Sequence, residues 1–277
     1  MSSVAAALKA ARAAGVTSLD AQLLLARILG TSRTGLVAND ERTLSAAETR
    51  RWDDAVARRI DGEPLAYLLG EKEFAGLMLE VTVNVLVPRP ETETLVDWAV
   101  ELLVAMPAGP RSIVDLGTGS GAMALAVQAR CRDATVTATD ASPAALAVAR
   151  RNAARHGAAI EFLTGSWWEP LGDRTFHVVL SNPPYIAAGD RHLAGLRHEP
   201  VEALTPGGDG LDAIRHIASG ANRHLRPGGW LLVEHGFDQA DAVQALLASA
   251  GLADIATRTD LAGRPRVSGG RAPARPG

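Results

Sequence analysis

The sequence predicts an α/β fold: a parallel sheet with helices on both faces, preceded by a small helical domain and a β-hairpin connector. Three patterns carry this expectation. Apolar residues follow helical spacing up to about Leu69, a short stretch alternates around Gly76, and from Ser112 onward apolar strands alternate with helical stretches. At 277 residues the chain exceeds the common single-domain size, which favours one small and one large domain. The expected bounds are 1–70 for the helical domain, 71–90 for the connector, 91–268 for the sheet domain and 269–277 for a disordered tail.

In the first domain, Leu19, Leu23, Leu24 and Ile28 share one side of a helix, with Gly30 placed as its stop. Ser45 followed three residues later by Glu48 forms a capping box, and Trp52, Val56 and Ile60 recur at helical spacing until Asp61-Gly62. In the connector, Phe74, Leu77, Leu79, Val81, Val83 and Val85 alternate as in a hairpin. After Pro88-Arg89-Pro90 a helix is expected from about Glu91 to Val104, and the breaker-rich Pro107-Ala108-Gly109-Pro110 then leads into a strand at Ser112 to Leu116. Further strands fall near Thr135 to Thr139, Ile160 to Leu163, Phe176 to Leu180 and Trp230 to Glu234, with helices between them. Such crossovers are right-handed. The segment Arg264 to Gly277 is rich in Gly, Pro and Arg, and its final third lacks the apolar residues needed to pack.

Hydrophobic residues at 47% and charged residues at 21% are globular composition, and no apolar run approaches a membrane span. Met1-Ser2-Ser3-Val4 shows no secretory signal, so the cytoplasm is the expected compartment. The single cysteine, Cys131, has no intramolecular disulfide partner and reads as structural. A net charge of -3 gives no bulk attraction to nucleic acid.

Asp115-Leu116-Gly117-Thr118-Gly119-Ser120-Gly121 ends a strand and opens a helix near Ala122, and its three glycines let a ligand approach the backbone closely. Asp140 ends the next strand, where a carboxylate can accept both hydroxyl hydrogens of a ribose. These features fit a nucleotide site in general. Gly117, Gly119 and Ala122 also match the dinucleotide fingerprint, which keeps an NAD-dependent dehydrogenase open, as is a nucleotide-binding module without turnover.

The strand at Phe176 to Leu180 runs through Ser181 into Asn182-Pro183-Pro184-Tyr185, at the carboxyl end where open parallel sheets bind ligands. Two prolines fix the backbone and leave the carbonyl of Pro183 rigidly aimed. An NH2 group on an sp2 carbon is a poor nucleophile, but its two hydrogens can be gripped. Asn182 Oδ1 and the Pro183 carbonyl are suited to accept both, holding the nitrogen in line with a sulfonium methyl and favouring the charge that builds on it. Tyr185 offers a ring to stack on the planar group. This chemistry needs neither acid nor metal, and the seven histidines form no ligand set with the cysteine.

Beyond single motifs, Gly62-Glu63-Pro64-Leu65-Ala66-Tyr67, Val87-Pro88-Arg89-Pro90-Glu91-Thr92-Glu93, the Asp115 to Gly121 loop, Asn182 to Ile186 and Leu232-Val233-Glu234-His235-Gly236 appear together. With these the chain resembles the class I methyltransferases and, within them, the release factor glutamine methyltransferases (the PrmC or HemK family), over nearly its whole length. The resemblance implies a Rossmann-like, seven-stranded catalytic domain that uses S-adenosylmethionine, yields S-adenosylhomocysteine and methylates the glutamine of a Gly-Gly-Gln loop on bacterial peptide chain release factors. By position it implies that Gly117, Thr118, Gly119, Ser120, Gly121 and Asp140 hold the cofactor with Trp167 beside the adenine. Asn182, Pro183, Pro184 and Tyr185 would hold the glutamine side chain, Asn182 also bordering the cofactor. Ser166 stands where relatives often carry an acidic residue, and Trp167-Trp168 leaves open which ring meets the adenine. Asn-Pro-Pro-Tyr is shared with adenine-N6 methyltransferases, but no separate basic recognition domain accompanies it here, and neither nucleic acid nor membrane is an expected partner. Arg89 and Glu93 read as a surface ion pair at the junction, and His235 as a satisfied structural residue.

Overall fold

The computed structural model describes residues 2–107 and 109–274. Ala108 of the breaker segment and residues 275–277 of the expected tail lie outside the described residues. The chain divides into two compact units, Met1–Lys72 and Glu73–Gly277.

The first unit holds helices α1 (Val4–Ala13), α2 (Ser18–Leu29), α3 (Arg33–Ala38), α4 (Ala46–Ile60) and α5 (Leu65–Leu69). Ser3, Thr17, Ser32 and Ser45 each cap the helix that follows, accepting a backbone N–H that would otherwise be orphaned. The capping box at Ser45 and Glu48 is complete. The core gathers Leu24, Leu25, Leu36, Leu44 and Trp52. Leu19, expected inside, is half exposed, because the buried stripe of α2 runs through Ala21, Leu24 and Leu25 instead.

Strands β1 (Glu71–Phe74) and β2 (Leu77–Glu80) form the hairpin. Its two turn residues, Ala75 and Gly76, have φ of 50° and 82°, the left-handed pair a two-residue hairpin turn requires. The strand stops at Glu80 although the alternation runs on to Val85. Val83 is exposed, and Val85 N–H closes a turn onto Thr82. Pro90–Thr92 is a 3-10 turn, and α6 (Glu93–Ala105) begins only after it.

The sheet is built from β3 (Arg111–Leu116), β4 (Ala134–Asp140), β5 (Ile160–Thr164), β6 (Phe176–Ser181), β7 (Leu225–Glu234), β8 (Ala253–Thr259) and β9 (Pro265–Arg271), in the order β5-β4-β3-β6-β7-β9-β8. The helices α7 (Ala122–Arg130), α8 (Pro143–His156), α9 (Asp212–His224) and α10 (Ala240–Ser249) complete the second unit. Strands β3 to β7 pair in parallel; β3 and β6, at the centre, are buried on both faces as their near-continuous apolar runs demand, whereas β5, at the edge, is half exposed. Ile113, Val178 and Leu232 enter one apolar cluster with α6 and α7, and their neighbours Val114, Val179 and Leu231 enter the other with α9 and α10.

Two expectations fail at the C-terminal end. The sheet is mixed rather than parallel, because β9 runs antiparallel to both β7 and β8. The tail expected from residue 269 is strand up to Arg271, with Gly269 opposite Leu232. A Cβ on Gly269 would lie 2.9 Å from the Trp98 ring, so this glycine makes room for a core tryptophan.

Chain order reverses between β3 and β6, and in an open α/β sheet the crevice at such a switch point is where ligands bind.

Candidate functional site

A cavity of about 710 Å³ opens at the carboxyl ends of β3, β4 and β6, within the range of small-molecule sites. Of the residues singled out from the sequence, Gly117, Thr118, Gly119, Ser120, Asp140, Trp167, Asn182 and Pro184 line it. Gly121, Pro183 and Tyr185 do not appear in its wall. Residues 83–86, Pro88, Arg89, Thr92, Pro200 and Glu202 complete much of the lining.

The glycine loop is held from below and from the side. Asp115 is fully buried beneath it, its Oδ2 accepting from Thr118 Oγ1 at 2.7 Å and from Ala124 N–H at 3.2 Å. The buried Asn152 of α8 donates to the Ser120 carbonyl at 2.9 Å and bonds both backbone groups of Glu80, tying the loop to the hairpin. Gly117 has φ of 74°, and a Cβ there would meet the Trp167 ring at 3.1 Å, so only glycine fits between strand end and indole. Asp140 fixes the loop as well: Oδ2 accepts from Gly119 N–H and Oδ1 from Ser142 N–H, both at 2.8 Å. Each of its oxygens keeps a lone pair for a further donor. Burial pushes the Asp140 carboxyl above the usual range.

Trp167 has φ of 47°, a strained conformation for a bulky residue, and its carbonyl accepts from Thr139 Oγ1 at 3.3 Å. That backbone kink turns Trp167 to the cavity and Trp168 inward. Trp168 is buried, stacked on His224 with ring centroids 4.7 Å apart, in a notch that Gly220 of α9 leaves for it.

Asn182 donates from Nδ2 to Thr92 Oγ1 at 3.2 Å. Pro183 is buried, and Ser181 Oγ donates to the Leu116 carbonyl at 2.8 Å, joining the ends of β6 and β3. Tyr185, expected to stack on a substrate, packs its ring against the apolar cluster of α9 and α10 and donates its hydroxyl to Glu234 Oε1 at 3.2 Å. Desolvation in this setting raises the Tyr185 hydroxyl far above its ordinary value.

Arg89 and Glu93 do not pair with each other. Arg89 bonds Glu199, whose other oxygen accepts from Val87 N–H at 3.0 Å, so a nearly buried carboxylate closes the cavity rim. Glu93 accepts from Ala75 N–H at 3.1 Å and holds the hairpin turn. Sequence reasoning missed Thr92, Asn152 and Glu199, although Thr92 lies inside a motif already singled out. His235 is fully buried and bonded through both ring nitrogens, to Ser268 Oγ and the Gly236 carbonyl at 2.8 Å each, and Cys131 is a buried free thiol. Among the described residues, no three His, Cys, Asp or Glu side chains converge as metal ligands, and no helix is long and apolar enough to cross a membrane.

Burial raises Asp115 to about 7, above its ordinary 3.8, so folding takes up a proton between those values. Its contribution to stability is therefore complete at acidic pH and is lost as pH rises through about 7. Asp115→Asn removes this titration. The melting temperature of the parent relative to the variant should fall from pH 5 to pH 8, and a constant difference across that range would count against the buried carboxyl.

Comparison with known proteins gives consistent matches. The family model described as Methyltransferase small domain matches residues 92–210, and that described as PrmC N-terminal domain matches residues 2–70. A release factor glutamine methyltransferase of Bordetella pertussis is 50% identical, over 92% of this chain and 95% of the relative. One from Burkholderia pseudomallei is 49% identical over 98% of both chains. Among solved structures, a methyltransferase from Pyrococcus furiosus superimposes with a TM-score of 0.53 at 18% identity, covering 83% of this chain and all of the other, a likeness of fold.

Proposed function

Since the chain belongs to the release factor glutamine methyltransferase family, we propose that it transfers a methyl group from S-adenosylmethionine to the side-chain amide nitrogen (N5) of the glutamine in the Gly-Gly-Gln motif of bacterial peptide chain release factors. The product is S-adenosylhomocysteine. The relatives' names do not favour adenine-N6 methylation or a dehydrogenase. A substrate from the translation machinery puts the activity in the cytoplasm.

One observation carries the reading furthest: Asn182, bonded through Nδ2 to Thr92, keeps Oδ1 for an incoming N–H in the same cavity as the glycine loop and Asp140. The lining fits the cofactor. Asp140 has acceptor capacity for ribose hydroxyls, a Cβ on Gly119 would meet nothing within 4 Å so its backbone lies open to a ligand, and Trp167 offers a ring to the adenine. Gly117 to Gly121, Asp140 and Trp167 would hold it, and when bound S-adenosylmethionine supplies an electrophilic methyl group. The chain's own residues orient the nucleophile. Asn182 Oδ1 and the Pro183 carbonyl accept the two amide hydrogens, Pro184 walls the cavity, and Tyr185 anchors the turn through Glu234. Incubating release factors with the protein and labelled S-adenosylmethionine, then mapping the label by mass spectrometry, tests the reading. A mass gain on the Gly-Gly-Gln glutamine is expected, and labelling elsewhere alone would refute it.

The cavity is lined by residues between Phe74 and Ala203, which leaves the unit Met1–Lys72 for another task. We assign it to docking the protein substrate, since binding away from the reacting group can position that group. A truncated chain beginning near Glu71, which keeps β1 whole, should still bind S-adenosylmethionine in calorimetry and lose far more activity on an intact release factor than on a short Gly-Gly-Gln peptide. Equal losses on both substrates would rule out docking.

A further inference from the structure

Among the described residues, Arg89 is the only Lys or Arg in the cavity wall, and the chemistry above does not use it. Its side chain is 35% exposed, whereas that of its partner Glu199 is 2% exposed. Arg89 Nη2 donates to Glu199 Oε1, and Nε and Nη1 have no partner among the described residues. A guanidinium carries five donors in one plane, so the ion pair leaves most of them to spare. Local bonds place this group at one end of the cavity. Thr92 N–H donates to the Arg89 carbonyl at 3.1 Å, and Thr92 Oγ1 accepts from Asn182 Nδ2 at 3.2 Å, so one tight turn ties the base of Arg89 to the Asn182 amide. The Glu199 side is fastened to the same end, where Ile186 N–H, just past Tyr185, donates to the Leu204 carbonyl at 3.0 Å. Asp140, at the end of β4, lies across β3 from Asn182 at the end of β6.

We propose that Arg89, anchored by Glu199, donates to a backbone carbonyl of the two glycines that precede the reacting glutamine. The proposal deepens the release factor reading and rests on it. Glycine has no side chain, so a site that selects Gly-Gly before a glutamine must grip the backbone, and a peptide carbonyl is a strong acceptor. The spare Arg89 donors, one turn from the amide that meets the glutamine nitrogen, match that need. A second acceptor would enter the same cavity, the carboxylate of S-adenosylmethionine. Glu199 already neutralises Arg89, and Glu202 adds an acidic group to the wall, so a further anion would meet no net positive charge. A neutral carbonyl takes the donors without that conflict. The same neutralisation lets a guanidinium stand in a cavity that must also admit a cationic sulfonium.

Steady-state kinetics with a short Gly-Gly-Gln peptide and with an intact release factor test the contact. Arg89→Met keeps the apolar stem and removes the donors. It should raise KM for both substrates about 10-fold, the scale of one bond from a charged donor, with kcat and S-adenosylmethionine affinity within a few fold of the parent. Peptides in which one glycine carbonyl is replaced by a thiocarbonyl, a weaker acceptor, separate a direct contact from support of the cavity rim. At one of the two glycines the thioamide should raise the KM of the parent several fold. The KM of Arg89→Met should change there by no more than about 2-fold, because the bond is already gone, whereas unrelated losses would multiply. The parent measurement needs no variant and decides the matter if Arg89→Met does not fold. Equal thioamide penalties in the two proteins, no penalty at either glycine in the parent, or a loss confined to S-adenosylmethionine affinity would overturn the role of Arg89 alone. A parent that leaves the Gly-Gly-Gln glutamine of an intact release factor unmethylated would overturn the function and the contact with it.

Discussion

Replacing Asn182 by alanine is expected to lower turnover on a release factor by roughly 10² to 10³ while cofactor affinity stays within a few fold, the scale for losing one aligned polar contact to a developing charge. The amide nitrogen of glutamine is a weak nucleophile because its lone pair is delocalised into the carbonyl. Accepting its hydrogens favours the form in which that pair is available and in line. Asn182 is suited to this because it follows directly on β6, whose end is fastened to β3 by the bond from Ser181 Oγ to the Leu116 carbonyl. The side chain is fixed in turn by Thr92, so little orientation remains to be lost on binding. Aspartate at this position is a poorer test, since it adds a charge to the site. Steady-state kinetics on a folded Asn182→Ala protein decide the matter, and near-normal turnover would mean that the nitrogen is held by other groups.

The parts legible in the sequence are those set by local pattern. The central strands β3 and β6 are buried on both faces and read as apolar runs, and the glycine loop, Asp140 and Asn182 follow from their places at strand ends. Strands β8 and β9 were not legible, because Ala253–Thr259 is half exposed and Pro265–Arg271 carries the Gly and Arg content of a tail. The two glycines that look flexible in sequence are the ones pressed against Trp98 and Leu252. The same limit applies within the site. The tandem Trp167-Trp168 carries no periodic signal, and only the positive φ at Trp167 and the notch at Gly220 sort cavity from core. Thr92 and Glu199 belong to the site through partners 90 and 110 residues away, Asn182 and Arg89, which no local spacing encodes.

Replacing Asp140 by alanine should weaken S-adenosylmethionine binding by about 10² or more, the larger of the expected effects on affinity. Two ribose hydroxyls would lose a charged acceptor, and each such bond contributes roughly 1.5 to 3 kcal/mol, though two on one carboxylate do not add fully. The structure adds a second route to the same loss. The carboxylate that would meet the ribose also accepts from Gly119 N–H, so alanine releases the middle of the glycine loop as well. Asp140→Asn separates the two routes. Its oxygen can still take the Gly119 N–H, but the other arm becomes a donor facing Ser142 N–H, so an intermediate affinity is expected. Calorimetry on both variants, each checked for a cooperative thermal transition, gives the order parent, Asp140→Asn, Asp140→Ala. Parent-like affinity in a folded Asp140→Ala protein would place the ribose elsewhere and leave Asp140 as a loop anchor only.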